Sequence, residues 1–99
     1  MVQADTTKPE DCEKFAQTVV DELGRIDVLV NNAGLGTAVP MTKETPEQFA
    51  SVIDVNLNGT FWCCRAFGRQ MLKQKSGSIV NIGSMSGFIV NKPQPQAFY

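Results

Sequence analysis

Two short runs, Ile26-Asp27-Val28-Leu29-Val30 and Ser78-Ile79-Val80-Asn81-Ile82, constrain the fold more than any other feature. Each is rich in β-branched residues and has the length of a strand buried on both faces of a parallel sheet. Each ends in a cluster of turn-forming residues, Asn31-Asn32-Ala33-Gly34 and Gly83-Ser84-Met85-Ser86-Gly87. Between them lies a long stretch of helical period. Strands joined through a helix run parallel, and such crossovers are right-handed.

The intervening helix has its own start signal. Thr45-Pro46-Glu47-Gln48 has capping-box spacing, with proline in the first turn. The period predicts helix from there to about Lys75, with Ser76-Gly77 ending it. Its expected sheet-facing stripe is Phe49, Val52, Ile53, Leu57, Phe61, Cys64, Gly68, Met71 and Leu72. Gly59 lies inside this helix at a cost of about 1 kcal/mol relative to Ala, so either something packs closely there or the helix bends. A second apolar stripe, Trp62, Cys63 and Ala66, predicts a covered second side.

Upstream, residues 1–5 read as the end of a strand. Thr7-Lys8-Pro9-Glu10 repeats the capping-box spacing and predicts a helix beginning at Thr7. Its stripe is Cys12, Phe15, Ala16, Val19, Val20 and Leu23, and Gly24 stops it. Downstream of Gly87, residues 88–99 read as a loop with two prolines that turns helical near its end. The order is strand, helix, strand, long helix, strand. This is α/β, a parallel sheet wound right-handed, and it looks like the middle of a larger domain. Residues 1–99 are expected to form only part of such a domain, because two full strands and two helices leave much apolar surface uncovered.

Composition narrows the chemistry. Nine Lys and Arg against ten Asp and Glu give a net charge of -1, which leaves no phosphate-neutralising excess for nucleic acid. No apolar run approaches the roughly 20 residues of a membrane helix. The absence of His removes Ser-His-Asp and Cys-His mechanisms from within the chain and argues against a metal site. Three Cys in no Cys-x-x-Cys arrangement read as small apolar fillers in a reducing compartment, the cytoplasm.

In open parallel sheets ligands sit beyond the carboxyl ends of the strands. Asp5, the Asn31–Gly34 turn and the Ser84–Gly87 turn all fall there. Asn56 adds a polar group on an otherwise apolar stripe near that edge, so its side chain needs a partner.

Three segments resemble the short-chain dehydrogenase/reductase family in order and in detail. Gly24-Arg25-Ile26-Asp27-Val28-Leu29-Val30-Asn31-Asn32-Ala33-Gly34 resembles its Asn-Asn-Ala-Gly signature. Asp54-Val55-Asn56-Leu57-Asn58-Gly59-Thr60-Phe61 resembles its fourth-helix signature, and Gly77-Ser78-Ile79-Val80-Asn81-Ile82-Gly83-Ser84 its serine strand. The resemblance implies a Rossmann-type fold, NAD or NADP as cofactor, and hydride transfer between nicotinamide and an alcohol/carbonyl pair.

It further implies catalytic roles for Asn56, Ser84 and Tyr99. Ser86 competes with Ser84: spacing back from Tyr99 favours Ser86, and strand register favours Ser84. Asp5, followed by Thr6, matches the acceptor for the adenine amino group. Asn32, Ala33 and Gly34 match the turn beside the adenosine ribose, and Asn31 is expected to pin neighbouring strands. The Ser84–Gly87 segment, with Asn91-Lys92-Pro93-Gln94-Pro95-Gln96, looks like the polyol and ketose reductases of arabinitol, mannitol, sorbose and xylulose type. The family's long helix pairs between subunits, so a homo-oligomer is expected.

Three family features have no match: the glycine-rich pyrophosphate turn, the second-strand residues that choose between NAD and NADP, and the Lys four residues after the catalytic Tyr. The chain is therefore expected to be an internal fragment or truncated product, inactive as it stands. The alternative is a non-catalytic chain that acts by pairing with intact subunits.

Overall fold

The computed structural model describes residues 1–89. Tyr99, Asn91, Gln94 and Gln96 lie outside the described residues. Helix α1 spans Pro9–Leu23 and strand β1 Val28–Asn31. A short 3-10 turn, Met41–Lys43, precedes helix α2, Pro46–Ile53. The chain continues without a break through a π-helical segment, Asp54–Gly59, into helix α3, Thr60–Gln74. Strand β2, Ser78–Asn81, and a 3-10 turn, Met85–Gly87, complete the described elements.

The two strands pair parallel, with Val28 opposite Ser78 and Asn31 opposite Asn81. The ladder continues at its carboxyl end, where the Ile82 N–H donates to the Asn31 carbonyl at 3.1 Å. Asn31 also joins the strands through its side chain. Its Nδ2 donates to Asn81 Oδ1 at 2.8 Å, as its expected pinning role requires, and to Cys64 Sγ at 3.3 Å. Residues 1–5, expected as a strand end, join no ladder among the described residues. Asp5 instead enters a tight turn, its carbonyl accepting from the Lys8 N–H at 3.0 Å.

The capping box at Thr45 forms as its spacing predicts. The Thr45 hydroxyl accepts from the Gln48 N–H, and the Gln48 side chain accepts from the Thr45 N–H. The one at Thr7 does not form: α1 starts one residue later, and Lys8 is its N-cap without a side-chain bond. The Thr7 hydroxyl has been diverted to Asp5.

The core lies between α1, α3 and β1. Cys12 and Ala16 of α1 meet Cys63, Ala66, Phe67 and Met71 of α3, with Ile26 and Leu29 beneath them. Phe15 and Phe67 pack edge to face at 5.3 Å. Cys12 and Cys63 are buried thiols with sulfurs 3.6 Å apart, and burial pushes the Cys12 thiol up to about 12. Gln74 fastens the end of α3 to the start of β1: its amide accepts from the Ile26 N–H at 2.9 Å and donates to the Ile26 carbonyl at 2.7 Å.

This packing corrects the two expected stripes. Cys63 and Ala66, assigned to an interface between copies, are covered by α1 of the same chain. Trp62 lies half-buried against that core, with the Arg65 guanidinium 4.7 Å from its ring. Of the stripe expected on the sheet, Val52 and Met71 are buried, whereas Phe49, Leu57, Phe61 and Leu72 are exposed. The helix is apolar around most of its circumference, so its own period does not say which side α1 will cover. The π segment also widens one turn, which a projection at uniform α-helical period does not follow.

Candidate active site

The carboxyl edge of the sheet is built by the turn after β1, the extended residues after β2 and the π segment. The π segment is positioned by close contact with the Asp5–Thr7 turn. At Gly59 an added Cβ would come within 2.8 Å of Thr6 Oγ1 and 3.3 Å of the Thr6 carbonyl oxygen. A larger residue there would have to push the Thr6 side chain aside and crowd its carbonyl, so glycine is what allows this close an approach. Of the two alternatives for Gly59, close packing holds, with Thr6 as the neighbour, and the helix is π-wound there.

Asn56 lies in the middle of that π segment. Its Oδ1 accepts from the Leu35 N–H at 2.8 Å, and its Nδ2 donates to the Leu35 carbonyl at 2.8 Å. A carboxamide is the neutral side chain that can donate and accept in this way. The polar residue on the apolar stripe thus finds its partner in the backbone following Asn32-Ala33-Gly34. The Asn56 carbonyl accepts from the Thr60 hydroxyl at 3.0 Å. Leu35 as this partner was missed in the sequence because a backbone contact between residues 21 apart leaves no local pattern.

Asn32, Ala33 and Gly34 are exposed at the end of β1. Gly34 does not adopt positive φ, and a Cβ there would meet Asn56 Oδ1 only at an ordinary 3.7 Å. Packing within the described residues therefore does not demand glycine at this position. Ala33 also lines a small crevice with Thr6, Asn31, Val55 and Gly59.

Asp5 lies at the same edge, next to Thr6. Its Oδ1 accepts from both the Thr7 hydroxyl at 2.7 Å and the Thr7 N–H at 2.9 Å. These bonds hold its carboxyl below the usual carboxylate range. Ser84 follows β2 in extended conformation, with φ -141° and ψ 146°. Its oxygen accepts from the Ser86 N–H at 3.1 Å. Ser86 falls within the 3-10 turn itself.

Residues 1–97 match the short chain dehydrogenase family. The chain belongs to that family. Galactitol 2-dehydrogenase of Rhizobium johnstonii is 47% identical over 96 residues, covering 96% of this chain and 37% of that protein. A 3-oxoacyl-(acyl-carrier-protein) reductase of Synechocystis is 42% identical over 93 residues, covering 94% of this chain and 38% of that protein. The crystal structure of NAD+-bound xylitol dehydrogenase superposes with a TM-score of 0.85 at 38% identity, covering 97% of this chain and 36% of that one. The chain spans little more than a third of the length of these relatives. The architecture is a partial Rossmann-type α/β domain.

The family cofactor is a nicotinamide dinucleotide, NAD or NADP. The residues at the strand edge fit the adenosine half of such a group. Asp5 offers an ionised acceptor, and Asn32-Ala33-Gly34 offers a surface without bulky side chains. When bound, the nicotinamide supplies the hydride acceptor or donor. Among the described residues no helix is long and apolar enough to cross a membrane.

Proposed function

We propose that the protein transfers hydride between a nicotinamide dinucleotide and a small alcohol/ketone pair, with a polyol or ketose as substrate. The observation that carries this reading is Asn56. It sits in a π segment and is hydrogen-bonded both ways to Leu35, directly beyond the small-residue turn at the end of β1. π turns recur at functional sites. In this reading Ser84 donates its proton to the substrate oxygen, Tyr99 transfers the hydroxyl proton, and Asn56 holds the relay that supplies it. The extended Ser84 supports its assignment over Ser86, which lies inside the following turn. Asp5 and Thr6 border the adenine, and Asn32, Ala33 and Gly34 border the ribose. Residues 1–99 are read as part of a dinucleotide-binding domain, in keeping with the share of its relatives that the chain spans.

The polyol assignment is supported by the galactitol and xylitol dehydrogenases among the similar proteins. The Synechocystis reductase sets the competing substrate class. The test is an absorbance assay of nicotinamide reduction in the intact protein, with galactitol, xylitol and mannitol as substrates, run against oxidation of NADPH by a 3-oxoacyl thioester. Turnover of at least one polyol, at a kcat/KM well above that for the thioester, is the expected result. Preference for the thioester would overturn the polyol assignment, and inactivity on both would overturn the reaction class.

Self-association and a cytoplasmic location belong to the same reading. Three cysteines in no Cys-x-x-Cys arrangement support a reducing compartment. Phe49, Leu57 and Phe61 are exposed among the described residues, and a second copy or the remainder of the domain would cover them. Isolated apolar residues are ordinary on a surface, but several along one helix mark a site that is covered. Phe61→Glu in the intact protein should shift sedimentation toward the monomer, and an unchanged assembly would remove this surface from consideration.

A further inference from the structure

The turn before α1 has a hydrogen-bond pattern that helix capping does not explain. Thr7 stands where the capping-box spacing places an N-cap, yet its hydroxyl does not cap. It donates to Asp5 Oδ1 at 2.7 Å, and the Thr7 N–H donates to the same oxygen at 2.9 Å. The other groups of Asp5 are engaged as well. Its N–H donates to Asp11 Oδ2 at 3.0 Å, and its carbonyl accepts from the Lys8 N–H at 3.0 Å. Among the described residues only Oδ2 has no hydrogen-bond partner. The carboxylate is thus held in one rotation, with one oxygen accepting twice and the other left to accept from a ligand.

We propose that Thr7 is a positioning residue for base recognition: by saturating Oδ1 it aims Oδ2 of Asp5 as an acceptor-only group at the amino group of the adenine. This inference rests on the reading of Asp5 as the adenine contact and goes beyond it by assigning how the contact is oriented. The chemistry is asymmetric. An ionised carboxylate accepts hydrogen bonds and cannot donate one. The adenine amino group donates. Hypoxanthine carries a carbonyl oxygen at that position, which would place acceptor against acceptor. Discrimination of this kind depends on a fixed carboxylate, because one that rotates freely can swing its charge away from the mismatched oxygen.

The test compares binding of the reduced dinucleotide of higher affinity (NADH or NADPH) with its hypoxanthine analogue, by fluorescence titration of the intact protein. The unmodified protein should prefer adenine by roughly tenfold, the size of one charge-assisted hydrogen bond at an exposed site. Thr7→Val keeps the shape and the N–H but removes the hydroxyl, and should shrink that preference to about threefold or less. Thr7→Ser should restore it. Asp5→Asn can donate to the hypoxanthine oxygen and should erase or reverse the preference. If Thr7→Val retains the full preference while Asp5→Asn loses it, the positioning role is wrong and the Asp5 contact stands. If Asp5→Asn also retains it, the reading of Asp5 itself fails. A loss that Thr7→Ser does not restore would likewise overturn the inference, since it would trace to the turn rather than to the hydroxyl.

Discussion

Asn56→Leu should lower turnover by about a hundredfold or more, within the range for loss of a group that supports proton transfer. The substitution removes both hydrogen bonds to Leu35. The backbone after Asn32-Ala33-Gly34 is then tied to the π segment only by packing, and its N–H and carbonyl fall back on water. Each bond contributes about 0.5–1.5 kcal/mol to stability, so thermal unfolding should shift modestly while kcat collapses. Asn56→Asp separates the two halves of the interaction. An ionised carboxylate still accepts from the Leu35 N–H, but its second oxygen faces the Leu35 carbonyl with no proton between them. That variant should lose activity nearly as far as Asn56→Leu. Steady-state kinetics beside thermal unfolding would decide the matter: a fall in kcat that merely tracks the fraction unfolded would reduce Asn56 to a structural staple.

Phe67→Ala should destabilise the fold by about 3–5 kcal/mol. The ring is 4% exposed and packs edge to face on Phe15, at the centre of the contact between α1 and α3. In the same cluster Cys12, Ala16, Cys63 and Ala66 have little side chain to move into the space, Ile26 is held through its backbone to Gln74, and the flexible Met71 could refill only part of it. The cavity would therefore persist. A loss of that size is a large fraction of the 5–15 kcal/mol typical of a folded domain. Urea denaturation of the intact protein should show the midpoint falling sharply, while Phe61→Ala, at an exposed ring, should change it little. A Phe67→Ala protein within about 1 kcal/mol of the unmodified one would show that the α1–α3 contact is not the organising core.

Much of the site was legible because its parts are local. The turn residues at the two strand ends, the capping box at Thr45 and the interruption at Asn56 are all written in runs of a few residues. Gly59 was legible as an anomaly, though the sequence did not name Thr6 as what approaches it. Thr7 was misjudged for a specific reason. A hydroxyl before a helix can serve the helix N–H groups or a nearby carboxylate, and Asp5 offers the stronger, ionised acceptor.

From the first helix onward the order of elements, the parallel sense of the strands and the polar carboxyl edge followed from the sequence alone, since periodicity and turn chemistry act between near neighbours. Tertiary structure alone decided which side of the long helix is buried. Phe61 and Phe67 are the same residue on one helix, and nothing in their local chemistry separates them. Phe67 is core because α1 lies across it, and Phe61 is surface because no described element does. The same holds for Asn56, whose backbone partner exists only once the chain has returned from β1 past the π turn.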